Sequence, residues 1–316
     1  MKKKIVIIVG GTGQFGITLT KSLLKKNEKV IITTRNIKRA KKKFQFLNKY
    51  LKIIKLNVLS FRSVNNLLKL KKPDKIFYFA GQSSPVISFK RGKETLLSNF
   101  KGCENFLLSL KRNNLRCKFI NASSSEIFAG SSKKINISSK KSPISPYGKA
   151  KYLSYKLTKN YREYNQINSY NAVIFNTESL YRDKNYLIPK ICMAAINAYK
   201  YGTITAFGNL NISREWNWCE EQIEYLLKFS NKKPQDFLLS NGKCYSAREM
   251  LVYAFNFFDL DYKKFVKKSS NFVRVKDFKL KSSNYNACLK RNRINRVSKV
   301  YGKKLVIKLI KYYLKN

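Results

Sequence analysis

The chain has 316 residues, 44% hydrophobic and 14% aromatic, which suits one or two globular domains and excludes a disordered chain. It contains no histidine, so Ser-His-Asp and Cys-His nucleophilic sites, histidine-ligated zinc and proximal-histidine haem are excluded. Its 66 Lys+Arg against 17 Asp+Glu give a formal net charge of +49, which raises nucleic acid, acidic membranes and phosphorylated metabolites as partners.

In chain order, nearly continuous apolar runs at 5–9, 30–34, 51–56, 75–80, 118–121 and 172–175 read as strands buried on both faces. Between them, residues 14–27, 61–70, 93–113 and 147–164 carry apolar residues at helical spacing, as with Phe15, Leu19 and Leu23. This β-α-β-α rhythm predicts an α/β fold, a Rossmann-like doubly wound parallel sheet. Further on, residues 187–201, 220–229 and 246–258 read as helices and 236–240 as one more strand. No Gly/Ser or Pro linker separates the halves, so a smaller C-terminal lobe is expected to be interleaved with the sheet. The expected division is 1–176, with 212–242 returning to it, as the dinucleotide-binding domain, and 177–211 with 243–316 as the substrate-binding lobe. The tail at 303–315 reads as a packed terminal helix with a solvated lysine face, rather than a membrane-surface helix.

The charge is mostly Lys and is spread along the chain, whereas nucleic-acid readers tend to concentrate Arg in patches. A solvated basic surface is the simpler reading, and no specific nucleic-acid partner is expected. The six cysteines are scattered with no C-x-x-C pair, so neither disulfides nor a metal site are expected. No signal peptide and no membrane-spanning run is apparent, and a cytoplasmic protein is expected.

Gly10-Gly11-Thr12-Gly13-Gln14-Phe15-Gly16 follows the first strand and opens a helix. Gly10 permits the turn, Gly13 lets backbone approach a pyrophosphate, and Gly16 lets helix pack on sheet. The helix N-terminus then faces the phosphates. The pattern reads as a dinucleotide site rather than a purely structural turn. The second strand ends in Arg35, and no acid occurs between Glu28 and Asp74 to hold a ribose 2′-hydroxyl. Arg35 suits a 2′-phosphate, so NADP is expected over NAD.

Tyr147 and Lys151 stand four apart behind Pro146, on one face at a helix start. A lysine ammonium beside a tyrosine favours the phenolate, which suits a proton-transfer group in a protein without histidine. The strand at 118–121 runs into Ser123-Ser124-Ser125-Glu126, at the sheet end where doubly wound folds bind ligands. Acids are scarce here, so Glu126 beside that run is a candidate functional carboxylate.

These residues resemble the extended short-chain dehydrogenase/reductases that act on nucleotide sugars, and more closely the GDP-mannose 4,6-dehydratase family. Lys72-Pro73 with Ala80-Gly81-Gln82-Ser83 and Ile87-Ser88-Phe89 resembles its Lys-Pro…Gly-Ala-Gln-Ser…Ile-Ser-Phe stretch. Ser123-Ser124-Ser125-Glu126 resembles its Ser-Thr-Ser-Glu, and Ser145-Pro146-Tyr147-Gly148-Lys149-Ala150-Lys151 its Ser-Pro-Tyr-Gly-x-x-Lys. Phe175-Asn176-Thr177-Glu178-Ser179 resembles Phe-Asn-His-Glu-Ser, with Thr177 at the histidine position. Gly208-Asn209-Leu210 with Arg214-Glu215-Trp216 resembles Gly-Asn-Leu…Arg-Asp-Trp. Beyond residue 265 only faint matches at 272–278 continue the likeness.

The resemblance implies a redox-neutral elimination on GDP-mannose. Tyr147 would take the proton of the sugar 4-OH, Lys151 would hold the nicotinamide ribose and tune Tyr147, and Ser124 would bond the 4-oxygen. Glu126 would remove the C5 proton and help expel the 6-OH as water. It implies cofactor contacts from Gly10, Thr12, Gly13, Gln14, Phe15, Gly16, Arg35, Asn57, Ala80, Gly81, Gln82, Tyr147 and Lys151. Ser83, Asn176, Glu178, Lys190 and Arg214 would contact substrate. A homodimer or homotetramer is expected. Two other readings stand beside this one: a reductase or epimerase of a related nucleotide sugar, which would generally lack the glutamate, and an inactive NADP-binding module that binds RNA through its charge.

Overall fold

A computed structural model describes residues 4–45, 49–131, 134–269 and 283–316; the faint matches at 272–278 lie outside the described residues. In chain order come β1 (Ile5–Val9), α1 (Gln14–Leu24), β2 (Lys29–Thr34), α2 (Ile37–Lys43), β3 (Leu51–Lys55), α3 (Phe61–Lys71) and β4 (Lys75–Tyr78). Then follow α4 (Pro85–Lys90), α5 (Gly92–Leu96), a π-turn (Leu97–Lys101), α6 (Gly102–Arg112), β5 (Lys118–Ser124), a 3₁₀ turn (Ser125–Phe128), α7 (Pro146–Tyr164) and β6 (Ser169–Ile174). After them lie β7 (Thr177–Glu178), α8 (Leu187–Tyr201), β8 (Thr205–Phe207), β9 (Ser213–Arg214), β10 (Asn217–Trp218), α9 (Cys219–Ser230) and β11 (Asp236–Leu239). The chain closes with β12 (Tyr245–Ser246), α10 (Ala247–Phe255), β13 (Val266–Lys268), α11 (Tyr285–Arg291) and α12 (Gly302–Lys315).

The chain divides into two compact units. The first is Met1–Ala129, Lys140–Ile174 and Ile223–Leu239; the second is Gly130–Ser139, Phe175–Gln222 and Ser240–Asn316. In the second half of the chain, Ile223–Leu239 belongs to the first unit.

The first unit is built on a seven-stranded sheet of order β11-β6-β5-β4-β1-β2-β3, with every neighbouring pair parallel. Runs such as Ile5–Val9 become central strands because both faces are covered, and Val6 through Val9 are all buried. One face packs Ile7, Val9, Tyr78 and Phe119 against Phe106, Leu107 and Leu110 of α6 and Leu67 and Leu68 of α3. The order reverses between β1 and β4, the switch point where such sheets bind ligands.

The second unit gathers α8, α10 and α12 around Trp216, Trp218 and Met250. Leu305, Val306, Leu309 and Ile310 of α12 are buried in that core, so the terminal helix is a packed one. Its lysines remain outside, and Lys308 lies 4.5 Å over the Trp218 ring. Two- and three-residue strands complete the unit: β10 pairs β7, β12 pairs β9 and β13 pairs β8.

Candidate active site

The glycine turn is shaped by its neighbours. Gly10 has φ +81°, and a Cβ there would meet the backbone nitrogen of Ala80 at 2.8 Å, so β1 and β4 end in contact. A Cβ on Gly16 would meet the Gly11 carbonyl at 2.5 Å, which lets α1 sit directly on the turn. Gly13 differs: a Cβ there would meet only the Gly10 oxygen, at 3.6 Å, so its outer side is an open cradle. Gly13 is also the N-cap of α1 and has no side-chain cap, leaving the positive helix end toward that cradle. Phe15 is buried against Phe79, and the Lys43 ammonium donates to the Thr12 carbonyl at 2.9 Å. These residues fit a dinucleotide's pyrophosphate.

The other candidate cofactor residues line the same sheet edge. Asn57 follows β3, and its side chain accepts from the Leu59 amide at 3.0 Å. Ala80, Gly81 and Gln82 follow β4, and Gln82 donates through Nε2 to the Ser84 carbonyl at 2.7 Å. Ser83 is exposed. Arg35 is exposed at the end of β2, where Thr34 and Asn36 share hydrogen bonds that lead into α2.

Beside them, β5 delivers Ser124 and the 3₁₀ turn delivers Glu126. The Ser124 hydroxyl accepts from the Glu126 amide at 3.3 Å, capping that turn. Helix α7 starts at Pro146 because Ser145 caps the Gly148 amide at 3.0 Å and proline suits a first helical position. A Cβ on Gly148 would lie 2.8 Å from the Glu126 carbonyl oxygen. The Tyr147-Gly148 turn is thus seated on the Glu126 backbone. Lys151 is buried; its ammonium donates to the Ala122 carbonyl at 2.7 Å and lies 5.9 Å from the Tyr147 ring centre. Burial lowers its pKa from 10.5 to about 8. The four residues Ser124, Glu126, Tyr147 and Lys151 are therefore brought together within the first unit.

The second unit holds Asn176, Glu178, Lys190 and Arg214. The Asn176 carbonyl accepts from the Asn217 amide and side chain at 2.9 and 2.7 Å. Arg214 is buried and donates to the Ser213 carbonyl at 2.9 Å. Lys190 donates to the Ala206 carbonyl at 2.8 Å and lies 4.9 Å over the Phe207 ring. Glu178 is buried 3.7 Å from Arg182, and burial raises its pKa to about 7. Among the described residues no group of acids and cysteines gathers as a metal site.

A sequence model described as GDP-mannose 4,6 dehydratase matches residues 7–304. The chain belongs to this family. It is 28% identical to GDP-mannose 4,6 dehydratase 1 of Arabidopsis thaliana over 288 residues, covering 86% of this chain and 80% of that one. It is 29% identical to the Homo sapiens GDP-mannose 4,6 dehydratase over 271 residues, covering 80% and 72%. Among solved structures, the fold matches the dTDP-glucose 4,6-dehydratase of Streptomyces venezuelae with a TM-score of 0.85, at 17% identity over 99% of this chain and 97% of that one. The UDP-glucose 4-epimerase of Thermus thermophilus matches at 0.81, with 14% identity over 97% and 99%.

These structures correct the expectation of NADP. The Streptomyces dehydratase, the Bacillus anthracis dehydratase, the Thermus epimerase and MoeE5 all hold NAD. Arg35 was a weak pointer physically: it is exposed, in a chain where 66 residues are basic. A missing acid after β2 does not by itself demand a 2′-phosphate.

Sequence reasoning also missed a positioning carboxylate in this dehydratase-family chain. Glu215, beside Arg214, is buried and accepts from the Gly242 amide at 2.9 Å, the Asn241 amide at 3.3 Å, and the Ser240 and Ser283 hydroxyls. It ties the loop after β11 to the strand that carries Arg214. Its place in the Arg-Glu-Trp motif, in a chain with 17 acids, was the available signal.

Proposed function

We propose that the chain is a hydro-lyase that converts GDP-mannose to GDP-4-keto-6-deoxymannose with NAD as cofactor. The seating of Gly148 on the Glu126 main-chain carbonyl carries the reading, because it sets the start of the helix that bears Tyr147 and Lys151 against the backbone of the residue whose side chain is the candidate carboxylate. Two proton-transfer groups at adjacent sugar carbons are what a 4,6-elimination requires. The glycine turn, with Ala80–Gln82, would hold the dinucleotide. When bound, NAD supplies a hydride acceptor at C4 and a hydride donor at C6.

Tyr147 removes the 4-OH proton, and Ser124 holds the 4-oxygen. Lys151, fixed by the Ala122 carbonyl, keeps a positive charge beside the tyrosine and would hold the cofactor ribose. Once C4 is a ketone, its neighbour C5–H is acidic; Glu126 takes that proton and delivers one to the departing 6-OH. Each such acid–base step contributes roughly 10²–10⁴-fold. Asn176, Glu178, Lys190 and Arg214, with Ser83, are assigned to the substrate. The reading includes a homodimer or homotetramer in the cytoplasm. Among the described residues no helix is long and apolar enough to cross a membrane.

The test is incubation of the protein with GDP-mannose and NAD, followed by mass spectrometry. Loss of one water with no net reduction of NAD is expected. Glu126→Gln is expected to stop water loss while NAD binding persists; full dehydration by that variant would remove Glu126 from its role.

A further inference from the structure

The helix after β4 is interrupted at Leu97–Lys101, where the Gly102 amide bonds the Leu97 carbonyl five residues back. A π-turn of this kind inserts one residue and leaves a carbonyl outside the regular ladder; such insertions are frequent at functional sites. Here the buried Tyr78 hydroxyl, at the end of β4, donates to the Ser98 carbonyl at 2.7 Å. Burial raises the Tyr78 pKa, so the group stays a protonated donor. Gly102 makes room for it, since a Cβ there would collide with the Tyr78 oxygen.

The next two side chains grip one residue. The Ser98 hydroxyl donates to the Glu94 carbonyl at 2.7 Å and accepts the Gln82 amide at 3.3 Å. The Asn99 side-chain nitrogen donates to the Gln82 carbonyl at 3.0 Å and to the Thr95 carbonyl at 2.9 Å. With both amide hydrogens used, Asn99 Oδ1 is turned onto Gly81, where a Cβ would strike it. Gln82 therefore has its N–H and its C=O held by consecutive residues of the π-turn.

We propose that Tyr78, Ser98 and Asn99 form a clamp that fixes Gln82, through the amide on its Gly81 side and the carbonyl on its Ser83 side, at the cofactor-facing edge of β4, making them positioning residues for NAD. This rests on the dinucleotide reading above. Without the Tyr78 hydroxyl, the Ser98 carbonyl loses that donor, and the helix gains by returning to regular register. Ser98 and Asn99 then turn away from Gln82 together.

The test compares wild type, Tyr78→Phe, Asn99→Ala and the double variant. Tyr78→Phe keeps the ring packed near Phe106 and Phe119. Hydrogen exchange at the Gln82 amide is expected to quicken in both single variants, and NAD is expected to bind about tenfold more weakly, ~1.4 kcal/mol. The double variant is expected to be no worse than the poorer single. Ser98→Ala, which removes one arm without touching the core, is expected to weaken NAD binding in the same direction. Wild type that binds NAD, with Tyr78→Phe and Ser98→Ala binding it equally well, overturns the clamp. Additive losses in the double variant overturn it as well. Wild type that binds no NAD overturns the cofactor reading, and the positioning role with it.

Discussion

Lys151 sits where two demands conflict. Its ammonium is useful beside Tyr147, yet burial holds its pKa near 8, so the charge is lost as pH rises through about 8. Turnover is expected to fall on the alkaline side over that region, read as kcat/KM against pH; a flat profile there contradicts the role. Its effect on stability runs the other way. Between about 8 and 10.5 the unfolded chain holds the proton more tightly, so this residue's contribution to stability rises with pH. Tyr147, Lys151 and Glu126 were legible as residues because their spacing is local and acids are scarce. Tyr78, Ser98 and Asn99 were not. Ser98 and Asn99 meet Gln82 only because one residue is inserted into the helical ladder, and no spacing in the sequence displays that.

At the scale of elements, the parallel strands were legible as apolar runs because each is buried on both faces. The helix expected over 93–113 is instead broken into α5, the π-turn and α6, since its apolar spacing does not record a change of hydrogen-bond register. Helix α2 escaped notice because only Ala40 of Ile37–Lys43 is buried, so it has no apolar stripe. The contact between α7 and the 3₁₀ turn depends on a glycine. Gly148→Ala would place a methyl 2.8 Å from the Glu126 oxygen and 3.2 Å from Pro143, forcing the two candidate groups apart. A displacement near 1 Å at such a site costs roughly 10²-fold in rate. A loss of that order in kcat is expected, with the thermal unfolding cooperative as in wild type. Gly92→Ala, with open space at its Cβ, is the control and is expected to leave rate and stability near wild type.

For the whole molecule, the +49 charge sits beside a sparing use of acids, several of which are structural ties. Asp236 accepts from Tyr155, Arg162 and Asn171 in the first unit. Glu215 gathers donors from four loop residues in the second. Glu178 is the costly one: it faces Arg182, with Tyr313 and Cys192 close enough to feel its charge. Its folded pKa of about 7 lies above the ordinary 4.5. The folded chain therefore binds the proton more tightly, and the stability this gives at low pH is lost as pH rises through about 7. Glu178→Gln removes that dependence. The Tm difference, variant minus wild type, is expected to move in the variant's favour from pH about 4.5 to above about 7. A difference that stays constant over the range would show that Glu178 does not titrate there.

The chain crosses between its two units five times, at 130, 140, 175, 223 and 240. On the ribosome, β6 emerges without its outer neighbour, because β11 is made only after Phe175–Gln222. Until then the nascent sheet presents an unpaired strand edge, the feature that invites misassociation and chaperone capture. No single cleavage yields two self-contained halves, so a split reporter or a swap of the second unit needs cuts on both sides of Ile223–Leu239.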